Sequence, residues 1–102
     1  ARLDVVEGWV HSRHLWTRRA ALLMTLPWTR QNFPRAADLA IRDRVLGWAA
    51  VLSADGERAV RQAVAGWLRD LSRHDPERSR AFLATHGARL KPFLRRETGT
   101  HP

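Results

Sequence analysis

The sequence of 102 residues contains no cysteine, so disulfides and thiolate chemistry are excluded and a reducing compartment is compatible with it. No apolar run reaches the length of a membrane span. The N-terminus also lacks the charged-then-apolar pattern of a signal peptide. These absences point to a cytoplasmic protein with no membrane partner. No stretch reads as a strand. A nucleophile elbow and a glycine-rich phosphate loop are both missing. His11 and His14 stand three apart, a spacing that can meet one metal ion, but no third ligand follows at a convincing spacing. Both therefore read as surface or capping residues, and neither metal nor cofactor is expected. Lysine is nearly absent as well, with Lys91 alone, so the positive charge is almost all arginine.

That charge is large. Eighteen basic residues stand against ten acidic ones, giving a net charge of +8 and a pI near 11.7. Nucleic acid or another anionic surface is the partner such a balance suits. Arginine makes bidentate phosphate contacts better than lysine does. Codon bias in a GC-rich genome would give the same skew, and both explanations stand at this point.

Apolar spacing and capping signals predict a chain of short helices. The first runs over about Arg2–Val10. The second runs over about Arg13–Leu26, capped by Ser12 and ended by Pro27. Trp28–Pro34 reads as a loop. A third helix covers about Arg35–Leu52. A break at Ser53–Gly56 offers Ser53 or Asp55 as the cap of a fourth helix, about Gly56–Ser72. Asp75-Pro76-Glu77 is a strong start for a fifth, ending near Gly87. A last one covers about Lys91–Thr98, closed by Gly99. The fold class expected is all-α. Thr17–Leu22 and Val60–Ala65 resemble each other, and Arg18 and Arg61 are separated by an interval within the roughly 40–47-residue period of HEAT-type repeats. This favours paired helices stacked as an α-solenoid.

The second predicted helix holds the most suggestive residue. Leu15, Trp16, Ala20, Leu22, Leu23 and Leu26 share a broad apolar face with Arg19 in its middle, while Arg18 points away with His14 and Thr25. An arginine on such a face must be paired, must snorkel, or must look into a groove that awaits an anion. Arg61 and Arg69 lie on one flank of the fourth helix. The chain has five tryptophans, and Trp16, Trp48 and Trp67 fall on stripes that read as core. The alternative is a wall for a deoxyribose or base beside Arg19 and Arg69. The acids read as solvated partners: Glu57 of Arg61, and Asp70 of Arg73 or His74. Asp4 and Glu7 read as surface residues.

Two blocks carry a family resemblance. Trp9-Val10-His11-Ser12-Arg13-His14-Leu15-Trp16-Thr17-Arg18-Arg19-Ala20-Ala21 resembles the signature W-x-x-S-x-x-x-W-x-x-R-A-A of the bacterial DNA alkylation repair family, which are HEAT-like-repeat alkylpurine DNA glycosylases. Gln62–Pro76 is similar to that family's later block around W-x-L-R. Leu90–Glu97 looks like its final helix. The resemblance implies a basic solenoid surface that holds duplex DNA, and excision of N3- or N7-alkylated purines. It carries backbone-binding roles onto Arg19 and Arg69, beside Trp67 and Arg61. It also implies two departures. The family's catalytic aspartate precedes the first block, and Asp4 and Glu7 are too close to that block to match it, so no catalytic residue is expected here. Alignment on Arg69 places Gly66 where the family's sugar-contacting tryptophan stands, with Trp67 one position later.

The sequence begins without methionine, and Ala1–Glu7 already reads as the body of a helix. The expectation is thus one all-helical HEAT-like segment, residues 1–102, forming the C-terminal part of a longer domain. An exposed repeat end would then allow self-association. A noncatalytic HEAT-like scaffold for protein or nucleic acid is the alternative from another functional class.

Overall fold

A computed structural model describes residues 2–97, with side chains through Leu94. Seven α-helices and one 3₁₀ turn account for nearly all of it: α1 Arg2–Trp9, α2 Leu15–Leu23, α3 Leu26–Thr29, α4 Ala36–Leu52, α5 Arg58–His74, α6 Pro76–His86, the 3₁₀ turn Gly87–Leu90 and α7 Lys91–Glu97. The described residues contain no strand, so the fold is all-α. Thr98, Gly99 and His101 lie outside the described residues.

Helix α5 is the axis of the molecule. Val60, Val64, Trp67, Leu68 and Leu71 recur at three- and four-residue spacing and are all buried. A helix with one stripe this apolar must cover it, and α2, α3, α4, α6 and α7 all pack on α5. The shortest dimension of the chain is 20 Å, the thickness of two helix layers.

Polar contacts fix how the helices meet. Arg44 of α4 reaches Asp4 and Glu7 of α1, both at 2.6 Å. Arg78 of α6 holds Asp43 at 2.7 Å and Asp75 at 3.1 Å. Asp75 also starts α6 as expected, accepting from the Arg78 amide with Pro76 in the first turn. Arg42 is the most buried charge described, with its residue 1% exposed. Its guanidinium donates to the Trp28 carbonyl at 2.8 Å, the Gln31 carbonyl at 2.9 Å and Asp75 Oδ2 at 3.1 Å. A buried guanidinium must have its donors satisfied. Here they are satisfied by pinning the segment between α3 and α4.

Several expectations need correction. The second helix stops at Leu23, and Pro27 opens α3 instead of closing α2. Proline suits a first turn because its missing N–H is not needed there. Trp28 is accordingly helical. The Ser12 hydroxyl accepts from the His14 amide at 3.1 Å, a local turn outside α2. Asp55 accepts from the Glu57 amide at 2.9 Å, just ahead of α5. Trp16 is 64% exposed and is not core, whereas Trp48 and Trp67 are buried.

The two adjacent arginines of α2 also exchange places. Arg18 is the inward one: its Nε and Nη2 donate to the two Asp55 oxygens at 2.7 and 3.0 Å, and its Nη1 donates to the Ser12 carbonyl at 2.9 Å. Ala21 and Leu22 are buried on the same helix and Thr25 just beyond its end, while Leu23 and Trp16 are exposed. Arg19 thus stands at the edge of the apolar face, between core and solvent.

Candidate nucleic-acid interface

Helices α2 and α5 cross with α3 beside them, and the space between holds a cavity of about 360 Å³. Its apolar wall comes from Leu22, Leu26, Ala63 and Trp67. Its polar groups are Arg19 from α2, Arg30 after α3, and Gln62, Arg69 and Asp70 from α5. Three arginines on one cavity make it cation-rich, a setting that attracts phosphate oxygens.

Several of these side chains have a definable hold. The Arg19 guanidinium lies 5.7 Å from the centroid of the exposed Trp16 ring, within cation–π range. Arg30 donates Nη2 to Asp70 Oδ2 at 2.8 Å, with Nε on the same oxygen at 3.2 Å. Asp70 therefore partners Arg30 across the cavity, where Arg73 or His74 was expected. Trp67 is 1% exposed, and its Nε1 donates to Thr25 Oγ1 at 3.2 Å. The Thr25 hydroxyl in turn shares its hydrogen between the Ala21 and Leu22 carbonyls, both 3.0 Å away. This chain locks α5 to the C-terminal turn of α2 and makes Trp67 a fixed floor. Gly66 also lines the cavity, and a Cβ built on it meets nothing within 4 Å.

Of the four residues proposed from sequence, Arg19, Arg69 and Trp67 gather on this cavity. Arg61 does not. Its Nη1 donates to the Asp55 carbonyl at 2.7 Å, and its guanidinium lies 5.8 Å from the Phe93 centroid. Arg61 and Arg18, alike in the two similar segments, thus converge on the same residue. Asp55 feels opposing influences. Burial raises its pKa, but the Arg18 guanidinium, the Glu57 amide and the Arg18 and Arg61 charges outweigh this, and the carboxyl is held below 3.8. Arg18 in turn is held more firmly protonated by Asp55. Arg30 and Asp70 were missed as an interacting pair in the sequence. They lie forty residues apart and no local spacing links them.

Among the described residues, no three His, Asp or Glu side chains gather as metal ligands would. No helix among them is long and apolar enough to cross a membrane.

The chain is thus all-α, with a cation-rich cavity between two helices, one of which carries W-x-x-R. The chain belongs to the DNA alkylation repair enzyme family, whose model matches residues 1–101. No match was found among curated proteins or among solved structures.

Proposed function

We propose that this chain binds duplex DNA through the cavity between α2 and α5, as the DNA-binding C-terminal portion of a HEAT-like-repeat N3-/N7-alkylpurine DNA glycosylase. The observation that carries the reading is the meeting of Arg19, Arg30 and Arg69 on one cavity in a chain of net charge +8. Family membership supplies the repair context. Arg19 and Arg69 contact phosphate oxygens, and Trp67 keeps their two helices at a fixed spacing. The carboxylate on the cavity, Asp70, is engaged by Arg30. It serves to orient that arginine and not to stabilise a sugar cation, so the chain by itself holds DNA without cleaving the glycosidic bond. The proposed compartment is the cytoplasm.

Binding of a fluorescent duplex measured against salt tests this. Phosphate contacts release counterions, so log affinity should fall linearly with log salt, and Arg19→Ala and Arg69→Ala should each reduce the slope by about one. Affinity independent of salt, or no binding at all, refutes the phosphate reading. Release of 3-methyladenine or 7-methylguanine by the purified chain refutes the noncatalytic role.

A further inference from the structure

The segment between α3 and α4 presents Phe33 with 93% of its surface exposed, more than any other large apolar side chain described. Here the loop is built to hold still. The buried Arg42 guanidinium binds the carbonyls of Trp28 and Gln31, and is itself tied to Asp75 at the start of α6. Beyond Phe33, Pro34 restricts the backbone, and the Arg35 amide donates to Asp38 Oδ2 at 3.0 Å, fixing the entry to α4. The ring is thus carried on a short, braced turn with nothing packed on it. Arg30 and Arg35 flank it, both exposed, and Arg30 also lines the cavity between α2 and α5.

We infer that Phe33 is a base-stacking wedge, inserted at a base step of duplex DNA next to the phosphates held at the cavity. This rests on the DNA-binding reading above and adds to it a contact outside the cavity. An aromatic ring needs a flat apolar surface, and the exposed guanidiniums on either side, Arg35 and the Asp70-paired Arg30, favour an anionic one. A polyanion with stacked bases offers both within one step. A protein partner would have to bring acidic groups to either side of an apolar pocket, whereas every phosphodiester flanks a base with charge. Bracing matters because a wedge that must first be ordered spends binding free energy on its own loop.

The test uses the full chain and a duplex carrying one 2-aminopurine, whose emission rises when the base unstacks. Binding of the parent chain should raise the emission. Phe33→Ala should bind about tenfold more weakly and lose the emission change, with the salt slope unaltered, as expected for a lost stack. Phe33→Trp should restore both, while Arg35→Ala should lower the slope by about one and keep the emission change. Because the ring is exposed, circular dichroism of the variants should match the parent. If the parent binds with salt dependence and Phe33→Ala binds equally well with the same emission, the wedge is refuted and the DNA-binding reading survives. If the parent does not bind duplex at about 50 mM salt, both fall. If Phe33→Ala abolishes self-association on a sizing column and leaves DNA affinity unchanged, Phe33 is a protein contact and the wedge is refuted.

Discussion

Replacing Arg42 with methionine isolates what the buried guanidinium does, because methionine keeps the unbranched stem and removes the donors. The wild-type side chain is 2% exposed and makes three bonds of 2.8–3.1 Å. In the variant, the Trp28 and Gln31 carbonyls each lose a charged donor. Asp75 keeps the Arg78 guanidinium at 3.1 Å and the Arg78 amide at 3.3 Å, so it is weakened and not orphaned. A hydrogen bond to a charged group contributes about 1.5–3 kcal/mol, which makes the gross loss at the two carbonyls about 3–6 kcal/mol. Relief from burying the charge offsets part of that. The expected net loss is about 3–4 kcal/mol, a large share of the roughly 5–15 kcal/mol that stabilises a domain. For a chain of this size that corresponds to a Tm lower by about 15–25 °C.

Urea denaturation followed at 222 nm measures the loss. Hydrogen exchange of the Arg30 amide, bonded to the Pro27 carbonyl at 3.2 Å, reports whether the turn loosens before the rest of the fold does. Arg42→Lys should recover only part of the stability, since an ammonium cannot span two carbonyls and a carboxylate in the guanidinium's planar geometry. A loss below about 1 kcal/mol for Arg42→Met would show that water satisfies these carbonyls equally well. It would also show that the turn carrying Phe33 is not braced by Arg42.

The remaining predictions concern the cavity and its supports. Trp67→Phe removes the Nε1 bond to the buried Thr25 hydroxyl, and should cost about 1–2 kcal/mol in chemical denaturation while preserving helicity. Gly66→Ala should stabilise by about 0.5–1 kcal/mol, because the position is in mid-helix with open space for a Cβ; a destabilised variant would mean that the cavity wall is closed there. Asp55→Asn bears on acid stability. A carboxyl held below 3.8 stabilises the fold above that pH, and the contribution is lost as pH falls through the folded-state value. The variant should therefore melt at a lower temperature at neutral pH and show an acid limb below pH 3.8 shallower by up to about one proton; an unchanged limb would show that Asp55 is not linked to folding.

How much of this was legible in the sequence depends on the range of the interaction concerned. The all-α class, the core placement of Trp67 and the Asp75-Pro76 start of α6 follow from signals within one turn or one helix. They emerge as read. Pro27 was ambiguous because proline can follow one helix or open the next, and the choice depends on whether Trp28 and Thr29 find somewhere to pack. Thr29 is fully buried, and the short α3 forms around it. The Arg30–Asp70 pair and the three ligands of Arg42 come from remote segments, and no spacing predicts them. The site was partly legible. The two family blocks brought Arg19, Arg69 and Trp67 to one cavity, but Arg61, placed by periodicity on the same flank as Arg69, turns to Asp55 and Phe93.

The need of an apolar-face arginine for partners is met most fully in α4. An arginine amid apolar residues must find partners, and Arg42 stands three residues after Leu39, three before Val45 and four before Leu46. By spacing alone it was as conspicuous as Arg19. Arg42 is the one that is buried and tied on three sides, whereas Arg19 lines the cavity and its neighbour Arg18 takes the inward position on Asp55. Successive residues of a helix point about 100° apart, so the two adjacent arginines face different surroundings. If Asp55 were removed, Arg18 would have no acid to keep it inward, and the two side chains would compete for the same rim. Asp55→Asn should accordingly weaken the distinction between Arg18→Ala and Arg19→Ala in DNA binding. Unchanged separate effects of the two substitutions in that background would show that Arg18 is held inward by the Ser12 carbonyl alone.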